Sequence, residues 1–188
     1  MAQLDEVVDR LDRLESKDAI RGLVTAYAIA CDEHDLPRLA DLFTEDAIFS
    51  SSSGTMTANG RAAIASMFIE MLKVRGPAFH WTHDVSVEID PESPDRATGL
   101  VYSHAETTPN GVVSLAAMKY RDAYRREGGR WRISKREISF LYYVPFAEYG
   151  DGLSSRNRLF VGGERLPADY PESLAHWQDF HRKHVVQA

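Results

Sequence analysis

The sequence predicts an α+β fold in which a curved antiparallel sheet wraps around N-terminal helices, and three observations predict it. As far as Pro77, apolar residues recur every three or four positions, which is the period of a helix. Beyond Pro77 they alternate with polar residues, which is the period of a strand. The chain has 188 residues, which suits one domain with a substantial core. Helices followed by a run of long strands are typical of α+β domains.

The first helices can be located from their apolar stripes. The pattern from Leu4 to Leu14 predicts an amphipathic helix, and Ser16 is placed to cap a second helix that runs to about His34. Pro37 stands where the first turn of a helix tolerates proline, so we expect a third, short helix there.

A strand and one more helix come before the sheet proper. The apolar run at 47–49 predicts a brief strand, and the Ser/Gly/Thr-rich segment 50–60 predicts a loop or hairpin. Gly60 opens a helix that Gly76-Pro77 ends.

Four long strands rich in β-branched and aromatic residues are expected next. Asn110-Gly111 and Gly128-Gly129 are hairpin turn signals, so the strands should form an antiparallel meander. The expected ranges are 78–90, 95–108, 112–126 and 130–144, and a further helix is expected at about 172–184. We therefore divide the chain into a barrel domain, 1–144, and a C-terminal extension, 145–188, which would act as a pocket lid or a subunit contact.

The composition is that of an ordinary globular protein. Hydrophobic residues make up 44%, charged residues 27%, and the net charge is −6, which excludes collagen-like, low-complexity and disordered chains. The single Cys leaves no internal disulfide, and the acidic N-terminus does not show the pattern of a secretory signal. No apolar stretch reaches the roughly 20 residues that span a bilayer. We expect a cytoplasmic protein that does not bind membranes.

Several segments together resemble the SnoaL-like family of the scytalone dehydratase type. They are the stretch from Ile20 to Ala47, Gly-Arg-Ala-Ala-Ile at 60–64, Phe-His-Trp-Thr-His-Asp at 79–84, and the strand pair 120–133. The resemblance implies a small cone-shaped α+β barrel and a homo-oligomer, with a trimer favoured over a dimer. This scaffold hosts dehydratases, dehydrohalogenases, isomerases, epoxide hydrolases and non-catalytic partner domains, so the resemblance says more about fold than about reaction.

The resemblance also points to catalytic positions. Dehydratases and the hexachlorocyclohexane dehydrochlorinase of this family share an Asp late in the long helix and a His after the Gly-Pro break. Asp32 and His80 stand at these places, 48 residues apart. Bile-acid dehydratase relatives carry a Tyr five residues before the Asp, where Tyr27 stands. Scytalone dehydratase departs from this sequence: its Tyr next to the Asp is Cys31 here, and its second catalytic His is matched only approximately by His104.

These residue types suit an elimination reaction. A lyase that removes water or halide must take a proton from carbon, and His80 would be the base, with Asp32 fixing its tautomer. Tyr27 would hydrogen-bond a substrate oxygen, and His104 would assist the leaving hydroxyl. The alternatives are a helix-end Asp, a hydrogen-bonded strand His, a core Tyr and a surface His.

The strand that carries His80 contains a conflict of faces. His80 alternates with Thr82 and Asp84 on one face, whereas Val85 and Val87 lie on the other. Either a β-bulge intervenes or both faces of the strand are covered.

Further side chains are expected to contact the substrate. Tyr102 shares a strand face with His104, and an Arg that lines the dehydrochlorinase pocket comes from the region of Arg125 and Arg126. The aromatic strand end at 140–149 would form a lid for a ring-containing substrate, or a subunit interface. The candidate substrate-binding residues are Trp81, Tyr102, Tyr120, Arg126 and Tyr142.

The sequence predicts no metal, no cofactor and no nucleic-acid partner. His80 and His83 are three residues apart on a strand and point to opposite faces, so they cannot chelate one ion. Glycine-rich nucleotide loops are missing from the sequence. The basic run 121–136 is explained by alternating strand exposure in an acidic chain.

We therefore predict a cofactor-independent lyase that acts on a cyclic or aromatic small molecule. A ketone isomerase and a cofactor-free carbon–carbon lyase on an aryl-propanoid are alternatives that use the same base. A different class is a non-catalytic ligand-binding domain or an oxygenase small subunit. An enclosed apolar cavity in which Asp32 and His80 meet favours an enzyme, and a filled cavity favours a partner domain.

Overall fold

The computed structural model describes residues 2–185, and within them the chain forms five helices and eight strands. The helices are α1 (Ala2–Asp32), α2 (Leu36–Asp41), α3 (Arg61–Arg75), α4 (Tyr149–Gly152) and α5 (Ala175–His184). The strands are β1 (Phe43–Ser51), β2 (Thr57–Asn59), β3 (Ala78–Ile89), β4 (Arg96–Thr107), β5 (Ser114–Glu127), β6 (Arg130–Pro145), β7 (Leu159–Val161) and β8 (Glu164–Leu166).

One curved, open sheet carries the architecture and confirms the α+β prediction. Its order is β2-β1-β6-β5-β4-β3, and β3 to β6 form the expected antiparallel meander. β1 and β7 each pair with β6 in parallel, and β8 continues from β7. The concave face packs on α1 and α3 to form a core of apolar side chains, among them Ile20, Val24, Phe43, Phe68, Val101 and Ile133.

The expectation of two separate N-terminal helices is wrong. α1 runs without a break through Ser16, which is buried and accepts a hydrogen bond from Arg126 Nη1 at 3.4 Å. Neither Gly nor Pro stands between Leu14 and Ile20, so nothing in the chain ends the first helix. The expected helices at Pro37 and after Gly60 are confirmed as α2 and α3.

The turns of the meander follow the sequence signals in one place and depart from them in another. Gly128-Gly129 joins β5 to β6 as a two-residue hairpin, because Glu127 pairs with Arg130. The expected two-residue turn at Asn110-Gly111 is wrong, since residues 108–113 link the strands and contain a 3₁₀ turn.

The C-terminal extension adds to the sheet of the barrel. β7 pairs with β6 through Tyr143 and Leu159, and the expected terminal helix is present as α5. No helix within residues 2–185 is both long enough and apolar enough to cross a membrane.

β-Bulges decide which side chains face the interior. In β3 the register with β4 shifts between Thr82 and Val85, so of the two alternatives that the sequence left open the structure shows the bulge. The shift lets His80 and Val87 both face inward although they are an odd number of residues apart. Two further shifts occur between β5 and β6, next to Ala117 and Ala123.

Candidate active site

A cavity of about 250 Å³ lies between the concave face of the sheet, α1 and α3. Its wall is mostly apolar and aromatic, with a few polar groups. The apolar part includes Phe49, Phe68, Met71, Met118, Ile138 and Phe140, and the polar part includes Tyr27, Arg75, His80, Thr107, Tyr120 and Tyr143. Such a wall is typical of a site for a small organic molecule.

Asp32 and His80 meet at this cavity. Asp32 is the last residue of α1, and its Oδ1 lies 2.5 Å from Nδ1 of His80. The backbone N–H of His80 donates to Oδ2 of the same carboxylate at 2.9 Å, so both residues are fixed. The His80 side chain is 8% exposed. Because a carboxylate only accepts, Nδ1 carries the proton, and in the neutral ring Nε2 is the nitrogen with the lone pair.

Two tyrosines beside the dyad offer hydroxyl donors. Tyr27 lies on α1 and packs edge-on against the rings of Phe68 and Tyr120, with centroids 6.1 Å apart in each pair. Burial raises the pKa of Tyr27 well above its ordinary value, and it raises the pKa of Tyr120 to about 12. Both hydroxyls therefore stay protonated near neutral pH and can donate to a substrate oxygen.

A buried arginine that the sequence analysis missed supports these tyrosines. The guanidinium of Arg136 lies 4.1 Å from the ring centre of Tyr27 and 4.5 Å from that of Tyr120. It forms a bidentate ion pair with Asp122, at 2.9 Å and 2.6 Å, and both side chains are fully buried. Burial opposes the charge of Arg136, but Asp122 outweighs it and raises the pKa of Arg136. Within residues 2–185 its Nη1 has no hydrogen-bond partner.

Three predicted site residues lie on the outer face of the sheet. Ala105 and Thr107 of β4 line the cavity, so alternation turns Tyr102 and His104 outward. His104 Nδ1 lies 2.6 Å from His83 Nε2, and the two rings stack. Trp81 pairs with His104 across the strands and is 54% exposed. The structure does not bring these side chains to His80.

The two remaining candidates also lie away from the cavity. Arg126 forms ion pairs with Asp12 and Asp95, which tie β5 to α1 and to the loop before β4. Tyr142 packs against Tyr149 with ring centres 5.5 Å apart. Tyr143 lines the cavity instead, because the register shift near Ala117 reverses the alternation of β6.

Metal ligation finds no support in the geometry. Across residues 2–185 no group of three or more His, Cys, Asp or Glu side chains is placed to hold a metal ion. Because Asp32 occupies Nδ1 of His80, the pair offers only the ring nitrogen Nε2 to a ligand in the mostly apolar cavity. One nitrogen suits acid–base chemistry better than the binding of a cation.

Comparison with known proteins identifies the family of this chain. The gamma-hexachlorocyclohexane dehydrochlorinase of Sphingobium indicum is 28% identical over 141 residues, which cover 73% of this chain and 88% of that protein. The crystal structure of a LinA-type3 dehydrochlorinase from Novosphingobium barchaimii superposes with a TM-score of 0.67 at 25% identity, covering 73% of this chain and 94% of that one. A scytalone-dehydratase-like protein from Novosphingobium aromaticivorans shares the fold, with a TM-score of 0.68 at 19% identity over 87% of this chain and 97% of that one.

The family profile of the SnoaL-like domain matches residues 12–137, well over half of the chain. That span contains most of α1, the Asp32–His80 pair and Arg136. The chain therefore belongs to the SnoaL-like domain family.

Proposed function

We propose that this protein is a cofactor-independent lyase that eliminates water or halide from a cyclic or aromatic small molecule. The observation that carries the proposal is the His80 ring, held by Asp32 through Nδ1, in the wall of an apolar cavity of about 250 Å³. The similarity to dehydrochlorinases, at 28% identity, supports an elimination.

The geometry supports a general-base mechanism. Nε2 of His80 takes a proton from a substrate carbon, the C–H electron pair becomes the new double bond, and the leaving group departs from the neighbouring carbon. Asp32 stabilises the imidazolium that forms. A halide leaves as the anion, whereas a hydroxide takes the proton back from the imidazolium and leaves as water. The hydroxyl of Tyr27 donates a hydrogen bond to a substrate oxygen during this step.

The substrate class follows from the wall of the cavity. Aromatic and Met side chains surround the space, and they pack well against a ring system. A substrate for this site has an acidic C–H next to a carbonyl or ring, and a hydroxyl or halide on the adjacent carbon.

A screen with matched histidine variants tests the proposal. Ring compounds with a β-hydroxyl or β-halide are incubated with the protein, and the conjugated product is followed by ultraviolet absorbance. His80→Ala is expected to lower the rate by about 100-fold to 10,000-fold, because it removes the base. His83→Ala is the control, since His83 lies on the outer face, and it should keep the wild-type rate.

Other outcomes of the screen identify the alternatives. Exchange of the substrate C–H with deuterated water, without loss of a leaving group, would indicate an isomerase. Tight binding without turnover by any compound would point to a ligand-binding domain. Equal rates for the His80→Ala variant and the wild type would contradict the general-base role.

We propose in addition that the protein is a homotrimer. On the outer face of β3, Phe79 and Trp81 are 56% and 54% exposed, which is an apolar surface suited to a subunit contact. Light scattering should give three times the chain mass of 21.2 kDa. Trp81→Glu is expected to shift the mass towards one chain, whereas a monomeric wild-type protein would refute the assembly.

A further inference from the structure

Arg75 lies where the cavity opens to the outside. It is the last residue of α3 and lines both the inner cavity and an outer groove of about 500 Å³. The two spaces share four lining residues, which we call the mouth: Met71, Arg75, Tyr143 and Val161. A molecule that enters the cavity from the groove must pass the mouth.

The backbone at Arg75 is held in place. Its carbonyl oxygen accepts hydrogen bonds from the backbone N–H and the hydroxyl of Thr108, both at 3.2 Å. The next residue, Gly76, has a φ of +61°, and a Cβ there would lie 2.5 Å from the Thr108 hydroxyl. The end of α3 is therefore fixed against the turn that follows β4, so the backbone from which the Arg75 side chain extends is held at the mouth.

The guanidinium of Arg75 has no counter-charge among the described residues. Across residues 2–185 it forms neither an ion pair nor a side-chain hydrogen bond, and neither the cavity nor the groove is lined by Asp or Glu. Arg136 and Arg158, which are buried, both have carboxylate partners. Arg75 is partly buried beside an apolar wall, and a cation in such a place is stabilised when an anion joins it.

The positive charge of Arg75 affects two tyrosines that line the inner cavity. Burial raises the pKa values of Tyr27 and Tyr120, and the positive charge of Arg75 offsets part of both rises. The guanidinium therefore acts on the groups that stand around His80.

We infer that the ligand of this site carries a carboxylate, which Arg75 binds at the mouth while the ring of the ligand occupies the inner cavity. A single guanidinium matches one carboxylate through two parallel hydrogen bonds. A phosphate dianion would leave negative charge uncompensated, because Arg75 is the one Arg or Lys among the described residues that line the two spaces. The inference rests on the proposed function, since it names the substrate class of the same cavity.

A matched pair of probes tests the carboxylate without any turnover. The full chain is titrated with 2-naphthoate and with 2-naphthamide, which share a ring and differ in charge, and the dissociation constants are measured by calorimetry. The wild-type protein should bind naphthoate about tenfold or more tightly than naphthamide, because only the carboxylate forms charge-assisted hydrogen bonds.

Variants of Arg75 test whether this residue causes the preference for naphthoate over naphthamide. Arg75→Met should bind both probes equally, and Arg75→Lys should keep part of the preference because it keeps the charge but not the planar fork. Arg21→Met, on the exposed side of α1, is the control and should keep the full preference. Circular dichroism checks that each variant is folded. If Arg75→Met does not fold, Arg75→Lys becomes the decisive variant.

The results that would overturn the inference are distinct from those that bear on the lyase. Failure of naphthoate to bind more tightly than naphthamide, whether both bind equally or neither binds, would overturn it. An unchanged preference for naphthoate over naphthamide in Arg75→Met would also overturn the inference. The same holds for Arg75→Lys if it is the decisive variant. The His80→Ala variant should retain the preference, so a protein without elimination activity still gives a clear answer here.

Discussion

Replacing Asp122 by asparagine is expected to lower the free energy of unfolding by about 3–5 kcal/mol. The change preserves volume but removes the carboxylate that pairs with the fully buried Arg136. It leaves a buried guanidinium charge without compensation, and Tyr124, which donates to Asp122 Oδ2 at 2.7 Å, loses a charged acceptor. For a domain of this size the melting temperature should fall by roughly 6–20 °C.

Differential scanning calorimetry measures this loss, and two further variants interpret it. The double variant Asp122→Leu/Arg136→Met replaces the pair by apolar side chains and should recover most of the lost stability. Glu70→Gln removes one partner of an exposed ion pair with Lys73 and should leave the melting temperature unchanged. If the Asp122→Asn protein has the same melting temperature as the wild type, the charge of Arg136 is compensated by something other than Asp122.

Replacing Asp32 by asparagine is expected to lower the elimination rate by about 100-fold to 10,000-fold with little change in stability. The asparagine oxygen can still accept the backbone N–H of His80, so the local structure is kept. Its amide N–H₂ would face Nδ1, however, and would favour the tautomer with the proton on Nε2. That tautomer has no lone pair directed at a substrate proton.

Nitrogen-15 NMR of the histidine ring measures the tautomer directly and needs no substrate. The wild-type protein should show His80 protonated on Nδ1, and Asp32→Asn should show protonation on Nε2. Glu33→Gln, one residue along and exposed, is the matched control and should leave both the tautomer and the rate unchanged. Identical His80 spectra in Asp32→Asn and the wild type would contradict the orienting role of Asp32.

The sequence predicts most of the helices and the long strands because these depend on local periodicity, whereas the Asp32–His80 pair follows from the resemblance to a known family. The conflict between the faces of His80 and Val87 was visible in the sequence, but it left two explanations open, a bulge in β3 or coverage of both faces. Features that depend on the register between strands could not be predicted from the sequence.

Arg136 and Tyr143 illustrate that limit. A plain two-residue hairpin at Gly128-Gly129 would place Lys135 opposite Asp122, and the bulge near Ala123 moves Arg136 there instead. The second bulge, near Ala117, turns Tyr143 into the cavity and Tyr142 away from it. No residue type marks either bulge in the sequence, so alternation alone places Lys135 instead of Arg136 opposite Asp122 and turns Tyr142 instead of Tyr143 into the cavity.

The pairing of β7 with β6 has a consequence for how this protein divides its tasks. Asp32, His80 and Arg136 fall within the span that matches the family, which ends at residue 137, whereas Tyr143 and Val161 at the mouth come after it. The entrance is thus built from two parts of the chain, because Met71 and Arg75 come from the family span and Tyr143 and Val161 from the residues after it, which join the sheet along the edge of β6. Selection for a new substrate can therefore change the mouth residues that follow position 137 while the base, His80, stays the same.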